Sequence, residues 1–315
     1  MKRSSGSGGF LPAVAEDGYI DLHTHGFGRW DTRSTSPEQI LEMAELQGRA
    51  GTAAILPTIY AGSLDVMRGE MEAVRKAMEI QGSPSGVRGP SGGKMERHMT
   101  PAPSLILGVH LEGPFLNPAR AGALEGGSFL KPTMTSLKRL MDGFEEIVRI
   151  ITIAPEMPGA LRVTEHCARS SIKVNMGHSD ATYEQAGDGK RAGATGVTHL
   201  FNAMRPFHHR EPGLAGFGLM DDDVFVEVVA DGVHLHSVTM RLIFRVKRPD
   251  RIILVSDAVK GAAVGGKPVY KKRGILGGSG ASLADAAGVL AKIGVSRDAV
   301  AAAAVKNPEE YLYRH

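Results

Sequence analysis

The 315-residue chain has one cysteine, Cys167, so no intrachain disulfide can form. A reducing compartment, the cytoplasm, is the expected location. No stretch approaches the roughly eighteen apolar residues of a membrane span. The N-terminal MKRSSGSGGF has basic residues but no apolar run behind them, so it does not read as a secretory signal. Block charge is missing too. Lys and Arg total 37 against 34 Asp and Glu, for a net charge of +3. With basic residues this scattered, neither nucleic acid nor a membrane is expected as a partner. The glycines between Gly261 and Gly266 lack the Gly-Lys-Ser/Thr ending of a phosphate-binding loop. There is no internal repeat.

What is present fits a globular enzyme. The chain is 42% hydrophobic and 23% charged, and long enough to bury a core without staples. Short β-rich runs alternate with amphipathic helical patterns. Eight runs stand out: residues 19–23, 52–58, 105–112, 148–156, 172–178, 195–201, 224–234 and 251–258. Most are continuously apolar, as strands buried on both faces should be. Helical patterns cover 37–50, 64–80, 179–192, 238–246, 282–293 and 297–305. The expected fold is therefore α/β, a (β/α)8 barrel spanning 19–315. Residues 1–18 read as a flexible leader, and the Gly/Pro/Ser-rich 81–104 as a disordered loop. The excursion at 113–147 should cover the C-terminal mouth, where barrel substrates lie.

Metal-type side chains recur at the ends of these runs. His23 and His25 close the first, Glu112 the third and His178 the fifth. His199, His234 and Asp257 fall on the sixth, seventh and eighth. Alone, each has a bland reading as a core histidine, a turn carboxylate or a cap. Together, in a closed barrel, they meet at one mouth. Residues i and i+2 of a strand share a face, so both rings of His23-Thr24-His25 can turn to one ion. Imidazole with carboxylate suits zinc, iron(II), manganese or cobalt rather than calcium or magnesium. Such an ion would activate a bound water, with Asp257 as general base and acid and His234 as a hydrogen-bonding partner of the substrate. His208 and His209 read as a solvated pair, and Cys167 as buried packing.

Six motifs in order, HLEGPFLNP (110–118), GHSDAT (177–182), THLFNAM (198–204), REPGLAG (210–216), ADGVH (230–234) and VSDA (255–258), resemble the N-acetylglucosamine-6-phosphate deacetylases of the amidohydrolase superfamily. The resemblance runs from about Tyr19 to about Leu290. It implies a (β/α)8 barrel that hydrolyses the N-acetyl group of N-acetylglucosamine 6-phosphate. It implies one or two divalent ions, zinc first. Glu112, His178 and His199 are the principal ligands, and His23 and His25 the second pair. Asp257 is the acid/base and an additional ligand. Asn202, Ala203, His234, Ala123 and the Leu276-Gly277-Gly278 loop are substrate contacts. Arg210 reaches the phosphate from a neighbouring subunit, which implies a homodimer. The family's small β-sandwich, built from both chain ends, is expected to be missing. Leu124 stands where many members have a histidine, and it cannot donate a hydrogen bond. That substitution keeps open another N-acyl amino sugar or a cyclic amide as substrate, and beyond that an inactive barrel with a binding role.

Overall fold

A computed structural model describes residues 18–82, 103–267, 269–270 and 275–313. The expected leader and nearly all of the expected loop at 81–104 lie outside the described residues. Eight strands follow one another around a parallel sheet: β1 (Tyr19–Thr24), β2 (Thr52–Tyr60), β3 (Val109–Glu112), β4 (Val148–Ile153), β5 (Lys173–Met176), β6 (Gly196–Val197), β7 (Phe225–Val229) and β8 (Ile252–Val255). Each pairs in parallel with the next, for example Thr58 with His110 and Val226 with Ile252. Further strands follow, among them β9 (Ala258–Ala263) and β10 (Leu276–Ala281). The architecture is the (β/α)8 barrel.

β1 meets β9 across a single register point, Thr24 opposite Ala258. Side chains reinforce this seam. The Ser256 hydroxyl donates to Asp21 Oδ2 at 2.5 Å, and the Ser256 amide to Oδ1 at 3.2 Å. Asp21 is fully buried, and burial pushes its carboxyl up to about 7 against those two bonds.

Helices cover the sheet from α1 (Pro37–Arg49) and α2 (Leu64–Ile80) to α8 (Leu283–Lys292). α2 starts where the Ser63 hydroxyl accepts the Val66 amide, and buries Met67, Met71, Val74 and Met78 at helical spacing. α8 opens with a reciprocal Ser282–Asp285 capping box. A smaller cluster of Ile20, Leu22, Leu56, Ile150, Val229, Ile253 and Val255 draws on strands from around the barrel, and so fills its interior. Tyr311, on the last helix (Asn307–Tyr313), joins that cluster. Among the described residues no helix is long and apolar enough to cross a membrane.

Six of the eight expected runs come out shorter: the fourth ends at Ile153, the fifth is Lys173–Met176, and the seventh ends at Val229, so that His234 lies past it. The third run breaks at Gly108, where φ is +139° and a Cβ would lie 2.4 Å from the Ile147 carbonyl oxygen. The sixth shrinks to Gly196–Val197, and the eighth stops at Val255. His199 and Asp257 thus sit just past the ladders, not on them, as does His178 after β5. All three hold left-handed backbone, with φ of 46° at His178, 29° at His199 and 49° at Asp257. The chain turns abruptly there to aim the side chains at the mouth.

Glu70 sits on the buried side of α2, only 3% exposed, and its Oε2 has no hydrogen-bond partner among the described residues. Burial pushes the carboxyl up to about 8, opposed by nearby Arg33. The folded state therefore holds a proton that the unfolded chain releases above about 4.5, and stability should fall as pH rises through that interval. Thermal melts should show Glu70→Gln matching the wild type in acid and melting higher at about pH 9. A wild-type advantage at the alkaline end would show the carboxylate to be stabilising.

Candidate metal centre and active site

Glu112, at the end of β3, lies between two histidine pairs. Its Oε1 is 3.0 Å from His178 Nε2 and 3.1 Å from His199 Nε2, and its Oε2 is 3.4 Å from His25 Nε2. His23 Nε2 is 3.6 Å from Oε1. All five side chains are buried. Two groups result that could each hold a metal ion, Glu112–His178–His199 and His23–His25–Glu112. The six residues expected from the sequence are brought together, with Asp257 Oδ1 3.6 Å from His25 Nε2 and 3.8 Å from His23 Nε2.

The hydrogen bonds behind the rings show that this donor set fits a cation. His178 Nδ1 lies 2.9 Å from the Arg120 carbonyl oxygen, and His25 Nδ1 lies 2.9 Å from that of Thr58. A carbonyl only accepts, so each Nδ1 carries the proton and donates. His23 Nδ1 likewise faces a carboxylate, Glu227 Oε2, at 3.0 Å. With Nδ1 so engaged, each of these rings turns its Nε2 inward as the donor atom. His23 Nε2 and His25 Nε2 stand 3.2 Å apart, as do the Nε2 atoms of His178 and His199 at 3.1 Å. Facing lone pairs repel unless a proton or cation lies between them.

The charges agree. Burial drives the His23 ring down to about 3, more than the adjacent carboxylates raise it, so it is neutral. Burial alone would raise the Glu112 carboxyl, yet His178, His25 and His199 hold it well below its usual range. His199 is lowered by burial but raised more by its bond to Glu112, to about 9. A cation bound there would displace that proton.

His25, Glu112, His178, His199 and Asp257 all line one cavity at the mouth. Asp257 joins these donors to His234. Its Oδ2 faces His234 Nε2 at 3.6 Å, while His234 Nδ1 donates to Asp231 Oδ2 at 2.8 Å. The cavity above is lined by Gly122, Ala123, Leu124, Asn202, Ala203 and His234, with Leu276, Gly277 and Gly278 opposite. Every substrate contact expected from the sequence is therefore at the mouth except Arg210. Arg210 is exposed on the loop before α6 (Gly213–Met220), outside the cavity lining, and its Nη1 lies 3.2 Å from His209 Nε2. His208 and His209 are exposed beside it, and Cys167 is fully buried, both as expected.

The sequence reading missed Tyr60, Asp231 and Glu227. The Tyr60 ring stacks on His25 at 3.8 Å between centroids and 12° between planes, with the Arg33 guanidinium 4.0 Å from it. Its position at the end of an apolar strand gave no sign of this. Asp231, three residues before His234, was legible as an orienting partner. Glu227 reads as an isolated polar residue in an apolar run, the one anomaly in β7.

A parallel barrel with a buried His/Glu donor set at its mouth defines a scaffold of the metal-binding kind. A family model described as the amidohydrolase family matches residues 18–271, and the chain belongs to that family. The chain is 33% identical to an N-acetylglucosamine-6-phosphate deacetylase of Lysinibacillus sphaericus over 255 residues, which are 81% of this chain and 60% of the relative. It is 31% identical to an N-acetylgalactosamine-6-phosphate deacetylase of Escherichia coli O157:H7, covering 78% of this chain and 60% of that one. A solved variant of N-acetyl-D-glucosamine-6-phosphate deacetylase from Mycobacterium smegmatis, in complex with N-acetyl-D-glucosamine-6-phosphate, superposes with a TM-score of 0.80 at 27% identity. That match covers 94% of this chain and 77% of the solved one. The chain thus spans 60% of the length of each of these two curated relatives.

Proposed function

We propose that this chain is a metal-dependent hydrolase that removes the N-acetyl group of N-acetylglucosamine 6-phosphate, giving glucosamine 6-phosphate and acetate. The observation that carries the reading is Asp257, which lines the cavity with one oxygen toward the ring nitrogens of His25 and His23 and the other toward His234. Glu112, His178 and His199 would hold one divalent ion, and His23, His25 and Glu112 a second. Zinc suits the donor set first, with iron(II), manganese or cobalt as substitutes. When bound, such an ion acidifies water and polarises a carbonyl oxygen.

The chain's own residues do the rest. Asp257 accepts the proton of the attacking water as the new C–O bond forms. It returns that proton to the sugar nitrogen as the C–N bond breaks, so that an amine leaves. Asp231 fixes the His234 ring, leaving its Nε2 facing Asp257 and the cavity to hydrogen-bond substrate. Asn202, Ala203, Ala123 and the Leu276–Gly278 loop border the sugar. Leu124 and Ile275 make the wall apolar. The exposed Arg210 would serve the phosphate of a partner subunit's substrate, its planar fork matching phosphate oxygens. That role makes a cytoplasmic homodimer the working form. Residues 19–315 are then the barrel unit.

Acetate release by purified, zinc-loaded protein tests the reading. N-acetylglucosamine 6-phosphate should be turned over about 10- to 10²-fold more efficiently than its phosphate-free counterpart, since a charge-assisted contact contributes about 1.5–3 kcal/mol. Arg210→Ala should erase most of that preference. Equal turnover of both sugars would remove phosphate from the reading. The relative that acts on the galactosamine epimer supports a second substrate, N-acetylgalactosamine 6-phosphate, and the same assay ranks the two.

A further inference from the structure

We infer that Glu227 is the positioning residue that fixes the His23 tautomer, and with it the capacity of the His23–His25 pair to hold a cation. The inference rests on reading the site as a metal centre.

Glu227 is the middle residue of β7 and only 1% exposed. Among the described residues no Lys or Arg pairs with it, and the ring that meets it, His23, is neutral. An anion buried in this way is costly unless its oxygens are fully used. They are used. Oε2 accepts from His23 Nδ1 at 3.0 Å and, more weakly, from the His199 amide at 3.4 Å. Oε1 accepts from Asn175 Nδ2 at 2.7 Å. The Asn175 carbonyl in turn accepts from the Tyr311 hydroxyl, whose oxygen is 3.1 Å from Thr195 Oγ1. A hydrogen-bonded line therefore runs from the last helix, through β5 and β7, to the back of His23. Gly196 leaves room for it: a Cβ there would lie 2.1 Å from Asn175 Oδ1 and 2.6 Å from the Tyr311 hydroxyl.

His23, His110 and Glu227 are close enough to be a separate metal group. The hydrogen bonds argue against it. His110 Nδ1 donates to the Leu22 carbonyl at 2.9 Å, and its Nε2 accepts from Thr152 Oγ1 at 2.9 Å, which leaves no free lone pair. His23 Nδ1 must likewise keep its proton to satisfy Glu227. These residues form an orienting layer beneath the site. A carboxylate bonded behind a histidine fixes the ring's rotation and tautomer and strengthens the far nitrogen as a ligand. His178 has its own anchor in the Arg120 carbonyl. The effect of Glu227 should therefore be lopsided, strong on the His23–His25 pair and weak on Glu112–His178–His199.

Two measurements on the full chain test this. In metal-free protein labelled with ¹⁵N-histidine, long-range ring correlations should show His23 protonated at Nδ1, with a low-field proton identified by its loss in His23→Asn. Glu227→Leu should abolish that signal, and Glu227→Gln, which keeps an acceptor, should retain it shifted upfield. Zinc titration against a competing chelator should find two affinity classes in the wild type. Glu227→Leu should weaken the looser class by about 10–100-fold and leave the tighter one unchanged, with Glu227→Gln intermediate. If Glu227→Leu fails to fold, the Gln variant carries the test through both readouts. Unaltered His23 resonance and zinc affinities in the variants overturn the inference. A wild type that binds one zinc or none refutes the His23–His25 metal reading instead, and the ring correlations then decide the tautomer claim alone.

Discussion

Asp257→Asn should lower acetate release from N-acetylglucosamine 6-phosphate by about 10²–10⁴-fold, the usual contribution of a positioned acid–base group. The argument is geometric. Asp257 is 13% exposed, enough to meet water and substrate, and each of its oxygens faces a different neighbour. Oδ1 looks to His25 and His23, Oδ2 to His234. An amide of the same shape keeps the packing and the left-handed backbone, which asparagine tolerates. It cannot take a proton from water at neutral pH. Zinc bound at Glu112, His178 and His199 should be retained, because Asp257 is not among those donors. The fall should appear in kcat and in kcat/KM alike. Turnover within tenfold of wild type, in protein shown to carry its metal, would transfer the proton-shuttle role elsewhere.

Glu112→Ala should act one step earlier, by removing the metal. Glu112 belongs to both three-residue donor groups, with Oε1 toward His178, His199 and His23 and Oε2 toward His25. Without it, four Nε2 atoms crowd together with no central anion to offset a cation's charge. Loss of an orienting partner behind a ligand costs about 10–100-fold in metal affinity, and loss of the shared ligand itself should exceed ~10²-fold. Metal analysis after dialysis against a chelator should find the variant empty where the wild type is loaded, with acetate release undetectable. Retention of both ions by Glu112→Ala would mean that the histidines alone hold them.

Much of this site was legible because its donors sit in short motifs beside strands. The His-x-His at the end of β1, the Glu that ends β3 and the Gly-His after β5 all needed only the barrel to make them neighbours. The eighth strand's end was harder. The run at 251–258 reads as one strand, but Ser256 turns to bond Asp21 and the ladder resumes at Ala258. That break depends on a partner 235 residues away. Tyr60 and the carbonyls of Thr58 and Arg120 were invisible for the same reason: a ring face or a main-chain oxygen carries no side-chain signature. Glu227 was visible as a charge in an apolar strand, but only its depth and its bond to His23 give that charge a meaning.

The left-handed backbone at His178, His199 and Asp257 sets a limit on how this barrel can be improved. Residues held there by their surroundings cost the fold on the order of 1–3 kcal/mol each, which glycine would mostly recover. Selection for heat resistance alone would drift toward glycine at these three positions, and would discard two ring donors and the carboxylate in doing so. A thermostability screen on this scaffold therefore needs a simultaneous readout of zinc content, since some of its strained positions lie where the chemistry is.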